Sequence, residues 1–222
     1  MKIINSKNFL TPDYSNRKER NEYVIDLINN HFSETKTILN IGGGQKRYFK
    51  DTKYVVTEID KDGDNDFTID LDKIKRLSFE DNTFDIALAL DVLEHLENFH
   101  LILDEIIRVS KKNVIISLPN SLLDVFSILL DKRQNDKINQ GVYSKFYGLP
   151  LIKPIDRHRW FLTVSDIERF FKNYSIKNKF TYEIVSPLNK SFKSKLLGFF
   201  LNDRLKKELL TKYCWVFIEK QY

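Results

Sequence analysis

Apolar residues along the first half of this chain follow two rhythms, and the places where one gives way to the other predict its elements. Across residues 16–32 they recur at helical spacing, with Tyr23, Leu27 and Ile28 on one side and Ser15 or Asn16 placed as the cap. Thr37–Ile41 then reads as a buried strand, residues 54–59 as a second, and residues 67–69 as a short third. Asp81, Asn82 and Thr83 form a turn ahead of Phe84–Leu90, a nearly continuous apolar run of the kind found in central parallel strands. A helix follows over residues 98–110, with Leu101, Ile102, Ile106 and Val109 on its inner face, and then a strand over 113–118. Strands alternating with helices predict an α/β fold built on a mainly parallel sheet.

After residue 120 the rhythm breaks. Residues 121–160 hold an apolar helix-like piece (122–130), a polar stretch and an aromatic loop, with no clean strand–helix unit. Helical spacing resumes at Ile167, Phe170 and Phe171, behind a cap at Thr163 or Ser165. Strands are expected at 182–185 and 214–219, separated by a basic and apolar segment, 190–212. With no internal repeat, the chain parses as one domain over residues 1–222, carrying an inserted cap at 121–160 after the fifth strand.

Composition narrows the picture further. An apolar content of 42% and an aromatic content of 13% over 222 residues suffice for one full core. The lone Cys214 excludes an intramolecular disulfide framework and a cysteine-based zinc cage, which fits a reducing cytoplasm. No basic leader with an apolar core is read at the start, and no run is long enough to span a bilayer. The net charge of +5 is interspersed over most of the length and reads as a solvated surface.

Three of the seven glycines stand together, Gly42-Gly43-Gly44, where the first strand ends. A strand feeding a glycine turn is how open α/β sheets bring a nucleotide-like cofactor against bare backbone. The dinucleotide pattern G-x-G-x-x-G is not met, since Arg47 and Tyr48 stand where the third glycine would fall. A phosphate-binding glycine-lysine-serine motif is absent too. Glu58, read at the end of the second strand, can accept both hydroxyls of a ribose. Asp70 can receive an adenine amino group, with Leu71 against the base; Asp70 serves equally as a turn residue.

Residues 38–44, the run Thr57-Glu58-Ile59-Asp60, residues 77–85, the run Leu90-Asp91-Val92-Leu93-Glu94-His95-Leu96, and residues 105–109 and 115–120 together resemble class I S-adenosylmethionine-dependent methyltransferases, the ubiquinone-pathway-like group among them. The resemblance covers about residues 20–120, with the motifs in family order and spacing. It implies a Rossmann-like, doubly wound sheet of seven strands, the last antiparallel. It also implies S-adenosylmethionine as cofactor, held by Asn40, Gly42, Gly43, Gly44, Glu58, Ile59, Asp70, Leu71, Asp91 and Val92. Two departures stand out: Asn40 where the family usually has aspartate, and Lys46 where it often has glycine. They leave room for a rival reading, a binding or regulatory protein that keeps the fold without turnover.

The sulfonium already activates the methyl group, so the protein chiefly aligns an acceptor with it. A hydroxyl acceptor also needs a base, and His95 and His158 are the side chains best suited by their ordinary titration range. Asp91-Val92-Leu93-Glu94-His95 is similar to the E-x-x-E-H pattern of methyltransferases that hold a divalent metal. That likeness would make Asp91, Glu94, His95 and His158 a ligand set. The Glu-His pair also occurs in many family members without metal, and none is expected here.

In the 121–160 cap and just beyond it, Tyr143, Phe146, Tyr147, Trp160 and Phe161 are candidates to stack on a planar ring or sugar. Lys145, Arg157 and Arg159 are candidates to clamp an anionic group. The expected acceptor is a small molecule or saccharide methylated on oxygen. The tetrapeptide typical of adenine and glutamine amino-methylation is missing after the fourth strand, and no basic stripe interleaved with aromatics points to nucleic acid. Residues 192–200, basic and apolar, read as an amphipathic element packed on its own sheet rather than as a membrane contact.

Overall fold

The computed structural model describes residues 14, 16–42, 46–50, 52–61, 63, 65–130, 157–188 and 198–221; the side chains of 46, 47 and 127–130 fall outside that description. Helix α1 (Arg17–His31) leads into β1 (Thr37–Ile41), β2 (Val55–Asp60), the two-residue β3 (Phe67–Thr68) and β4 (Phe84–Leu90). Helix α2 (Phe99–Val109), β5 (Ser110–Pro119) and α3 (Ser121–Leu130) follow, then α4 (Val164–Asn178), β6 (Phe180–Val185), α5 (Asp203–Leu210) and β7 (Tyr213–Lys220). The seven strands form one sheet in the order β3-β2-β1-β4-β5-β7-β6. All neighbouring pairs are parallel except those made by β7, which runs antiparallel to both β5 and β6. The expected doubly wound sheet with its antiparallel last strand is therefore what the chain adopts.

Alternation along the central strands builds a core on each face. Leu39, Ile41, Ala87, Ala89, Val114 and Ile116 pack with α2 and α4. Ile38, Ile86, Leu88, Leu90 and Ile115 pack on the opposite face with Val24, Leu27 and Ile28 of α1. Burial on both faces explains why these strands read as near-continuous apolar runs. Helix α1 starts where Asn16 accepts from the Glu19 N–H at 3.0 Å, and α4 starts with a reciprocal capping box between Thr163 and Asp166.

Among the described residues of the β1–β2 connection is a 3-10 turn, Lys46–Phe49. The 121–160 segment is tied at its neck. The Ser121 N–H donates to the Leu162 carbonyl at 2.8 Å, and the Leu162 N–H donates to the Ser121 hydroxyl at 3.1 Å. Residues 131–156 lie outside the described residues, and Tyr143, Lys145, Phe146 and Tyr147 with them.

Of residues 192–200, expected to pack on the sheet, 192–197 lie outside the described residues; Phe199 and Phe200 are 84% and 77% exposed, and their rings meet edge to face at 5.5 Å. Helix α5, next along the chain, was not separable from its basic surroundings by pattern. Its charges outnumber the few leucines that face inward. Among the described residues no helix is long and apolar enough to cross a membrane.

Candidate active site

Strand order reverses direction of growth between β1 and β4, so the crevice beyond their carboxyl ends is where an open α/β sheet binds its ligand. The conspicuous residues of the sequence meet there.

Gly42 ends β1 in the left-handed region, at φ +68°, and its N–H donates to the Ile59 carbonyl at 2.7 Å. A Cβ on Gly42 would fall 2.2 Å from Cγ2 of Val92, so both backbone and space demand glycine. Gly43 and Gly44 lie outside the described residues. Asn40 and Glu58 stand opposite each other in the β1–β2 register, and Asn40 Nδ2 donates to Glu58 Oε1 at 3.0 Å in a fully buried setting. Asn40 Oδ1 is buried with no hydrogen-bond partner, an acceptor at the crevice that a cofactor's donor would satisfy.

Glu58 sits two residues inside its strand rather than at the end, because β2 continues to Asp60 by pairing with β3. Ile59, Leu71 and Val92 are buried in the α2–α4 core directly beneath the crevice. Asp70 organises a turn. It pairs with Lys73 at 3.1 Å and accepts from the Asp72 N–H at 3.2 Å, and these contacts, Lys73 first, hold its carboxyl below the usual range against a smaller opposing effect of burial. The donor set at the crevice fits a nucleoside-type cofactor: a bare glycine turn, a buried carboxylate and an amide on adjacent strands.

Asp91 follows β4 with φ +51°, and that reversal turns its carboxylate toward α1. One oxygen pairs with the buried guanidinium of Arg20, and the other accepts from the Ser117 hydroxyl at 2.5 Å. Sequence reasoning missed both partners. Arg20 reads locally as one more solvated cation on an amphipathic helix, and Ser117 as an ordinary strand residue. Tyr14, stacked on Tyr213 at 4.3 Å, lies against this pair. Burial first, then the nearby Asp91 charge, push its phenol far above the ordinary range.

Glu94 and His95 occupy a single 3-10 turn, Leu93–His95. His158 is brought onto that turn by its neighbours. The Arg159 N–H donates to the Glu94 carbonyl at 2.8 Å, the Arg159 Nε to the His95 carbonyl at 3.1 Å, and the Trp160 indole to the Leu96 carbonyl at 2.6 Å. His95 and His158 meet edge to face with ring centroids 4.6 Å apart, and His95 Nε2 lies 3.8 Å from Glu94 Oε1. One donor atom from each of Glu94, His95 and His158 lies within 4.8 Å of the others. The four-residue ligand set is therefore reduced to three, because Asp91 is engaged by Arg20 and Ser117 instead.

Two residues considered for acceptor binding are otherwise occupied. Arg159 ties down the 3-10 turn and faces Glu97 at 3.3 Å and Asp72 at 3.7 Å. Trp160 packs between Phe99 and His100. Phe161 remains about half exposed. A separate cavity of about 410 Å³ opens beside α4 and β6, lined by Arg169, Lys172 and Tyr182 among others, and shares no residue with the crevice.

The sheet order is that of the Rossmann-like methyltransferase fold. Residues 39–118 match the family model described as a methyltransferase domain. No curated protein matches the chain by sequence. Among solved structures, the methyltransferase domain of the bacterial CtHen1 is 13% identical with a TM-score of 0.56, covering 92% of this chain and all of its own. The small RNA methyltransferase HEN1 is 15% identical with a TM-score of 0.60, covering 96% of this chain but only 26% of its own. The plantazolicin methyltransferase BpumL, solved with S-adenosylhomocysteine named as SAH, is 14% identical with a TM-score of 0.56, covering 98% of this chain and 90% of its own. At these identities the likeness establishes the shared fold.

Proposed function

We propose that the protein transfers a methyl group to a hydroxyl of a small-molecule or glycan-type acceptor in the cytoplasm, with His95 and His158 as the acid–base pair. The observation that carries this reading is the meeting of the two imidazoles beside the buried Glu94, at the edge of the sheet where the cofactor belongs. S-adenosylmethionine, when bound, supplies a methyl group already activated by its sulfonium. Gly42, Asn40 and Glu58 are the residues that would hold it, and they leave the proton of the acceptor as the chemistry for the chain itself. His95 is the more accessible imidazole and takes that proton. His158, buried edge-on to it, fixes the ring. The 121–160 segment, closed at its Ser121–Leu162 neck, serves as the cap that selects the acceptor. Cys214 takes no part: burial pushes its thiol up to about 12, which keeps it an inert packing residue.

The test is methyl transfer from labelled S-adenosylmethionine into fractionated saccharides and hydroxylated small molecules, followed by chemical identification of the product. A methyl ether or ester is expected. His95→Gln and His158→Gln should bind the cofactor normally by calorimetry while turnover falls on the order of 100-fold. An N-methyl product, or undiminished turnover in both variants, overturns the reading.

The same triad favours a second reading. One carboxylate and two imidazoles within 4.8 Å suit a borderline divalent ion better than calcium or magnesium. Such an ion would lower the pKa of the acceptor hydroxyl in place of a free base. RNA is the acceptor to include in this arm, since one structure of the same fold is the small RNA methyltransferase HEN1. Elemental analysis showing stoichiometric metal, lost with Glu94→Gln, would select this reading; metal-free protein with full turnover would remove it.

A further inference from the structure

We infer that the methyl acceptor carries a carboxylate, and that an aromatic cluster between α1 and the carboxyl ends of β4 and β5 binds it. Four buried polar atoms of this cluster have no hydrogen-bond partner among the described residues: the Tyr14 and Tyr23 hydroxyls, Arg20 Nε and the Trp215 indole nitrogen. Tyr14, Arg20 and Trp215 are each at least nine-tenths buried. Folded proteins leave few such atoms, so four in one place call for a guest. Their contacts show that they are in one place. The Tyr23 and Trp215 ring centres are 5.1 Å apart, and Trp215 meets Tyr14 edge-on at 6.0 Å. Arg20 pairs with Asp91, and both charges act on the Tyr14 phenol. Trp215 lies opposite Ser117 in the β5–β7 register, and the Ser117 hydroxyl donates to Asp91. Asp91 keeps about a third of its exposure, which opens the cluster to the crevice.

The chemistry of the four atoms identifies the guest. Indole and guanidinium nitrogens only donate. Tyr14 and Tyr23 keep their protons, because burial first, then Asp91 for Tyr14 and Tyr213 for Tyr23, pushes both phenols far above the ordinary range. The strongest acceptor nearby, Asp91, is already taken by Arg20 and Ser117. Such a site favours a group with several lone pairs and no hydrogen of its own. Charge sets its valence. Arg20 and Lys212, whose Nζ lies 5.9 and 5.8 Å from the Tyr14 and Tyr213 ring centres, oppose the single charge of Asp91. One positive charge is left over, which balances a carboxylate and falls short of a phosphate dianion. A planar carboxylate also suits the guanidinium edge, where Nη1 is spent on Asp91 and Nε is open. The position favours the acceptor as its source. The residues assigned to the cofactor stand on β1 and β2, whereas Trp215 is three strands from β1, about 14 Å across the sheet. An acid-bearing sugar or a hydroxy acid is the class of acceptor that fits.

The inference rests on the hydroxyl-acceptor reading above, but its test reads binding and needs no turnover. With S-adenosylhomocysteine saturating, calorimetry compares glucuronate with glucose and 3-hydroxybenzoate with phenol. Within at least one pair the acid is expected to bind on the order of tenfold more tightly. Tyr14→Phe/Tyr23→Phe should erase that preference, while the thermal transition of the free protein stays level or rises, because two unpartnered buried hydroxyls are gone. Arg20→Lys, which keeps a cation for Asp91 but loses Nε, should lower the preference as well. Equal affinity within both pairs, or a preference that survives in the phenylalanine variant, would overturn the proposal. Weaker S-adenosylhomocysteine binding in that variant, with no effect on the acids, would give the site to the amino-acid end of the cofactor and overturn it too. A parent that binds no S-adenosylhomocysteine would fail the methyl-transfer reading instead, and the acid pairs run without it still decide the site.

Discussion

Arg20, in the first turn of α1, is paired with Asp91, the residue that follows β4, across 71 positions of sequence. The guanidinium is buried, whereas the carboxylate keeps about a third of its exposure and a second bond from Ser117. The pair therefore fixes α1 to the crevice edge and holds Asp91 in its unusual left-handed conformation. Arg20→Met leaves a partly buried carboxylate without its cation. The expected loss, discounted for the exposure of Asp91, is about 2 kcal/mol in urea unfolding. The double variant Arg20→Met/Asp91→Asn should lose clearly less than the two single losses combined, because no uncompensated charge then remains. Additive losses would show that the pair contributes no coupling.

Gly42 and Val92 test the crevice from the other side. Gly42→Ala places a methyl 2.2 Å from Val92 Cγ2 and imposes a left-handed conformation on a residue with a Cβ. Overpacking and backbone strain together predict a loss of about 2–4 kcal/mol, together with weaker S-adenosylmethionine binding by calorimetry. Adding Val92→Ala should relieve the clash and leave about 1 kcal/mol of backbone strain. Full recovery in the double variant would show that the strain is absent, and no recovery would show that the clash is.

The elements that could be read from the sequence are those whose burial is complete. Phe84–Leu90 and Thr37–Ile41 are covered on both faces, so their apolar runs admit one interpretation. Helix α5 escaped because its inward positions are few and one of them is Glu208, a buried acid used as a cap. Gly42 was legible since a glycine turn after a strand has few alternatives. The roles of Asp91 and Arg159 were not legible, because each depends on a partner distant in sequence. Asp91 is taken by Arg20, and Arg159 is spent on the backbone and acids around His95. Trp160 looked like a stacking surface for the same reason: composition shows an aromatic but not the carbonyl it bonds.

Asp85 predicts how the fold responds to acid. Burial alone would raise its carboxyl, but bonds from Lys111 Nζ at 2.8 Å and from the Thr37 and Lys36 N–H groups at 2.9 Å outweigh it and hold the carboxyl well below the usual range. A depressed value in the folded state means stability that is present above the unfolded value, about 4, and lost as pH falls through the folded one. At neutral pH, Asp85→Asn should cost about 1–2 kcal/mol. The gap between variant and parent should close as the pH of the melting experiment is lowered below about 4. A gap that persists unchanged at low pH would mean that the cost comes from packing.

Asn40 and Glu58 yield the sharpest expectation, because an amide and a carboxylate share one buried hydrogen bond across the β1–β2 register. The Asn40 amide donates to a completely buried carboxylate at 3.0 Å, neutralising nothing but satisfying an oxygen that has lost its water. Asn40→Asp would place two carboxylates across one hydrogen-bond distance in the same buried setting. They can coexist only by sharing a proton, so the pair must titrate above the ordinary carboxylate range. The sign follows: a raised folded value gives a penalty that grows as pH rises above about 4 and is complete once the shared proton is gone. The variant should be destabilised by about 2 kcal/mol at pH 8 and approach the parent near pH 4, the reverse of the Asp85→Asn profile. Equilibrium unfolding at the two pH values checks it. Saturating S-adenosylmethionine should leave that pH trend in place while raising the transition of both proteins. A variant as stable as the parent at pH 8 would show that the site already accommodates a second charge, and that Asn40 is not the neutral partner the buried Glu58 requires.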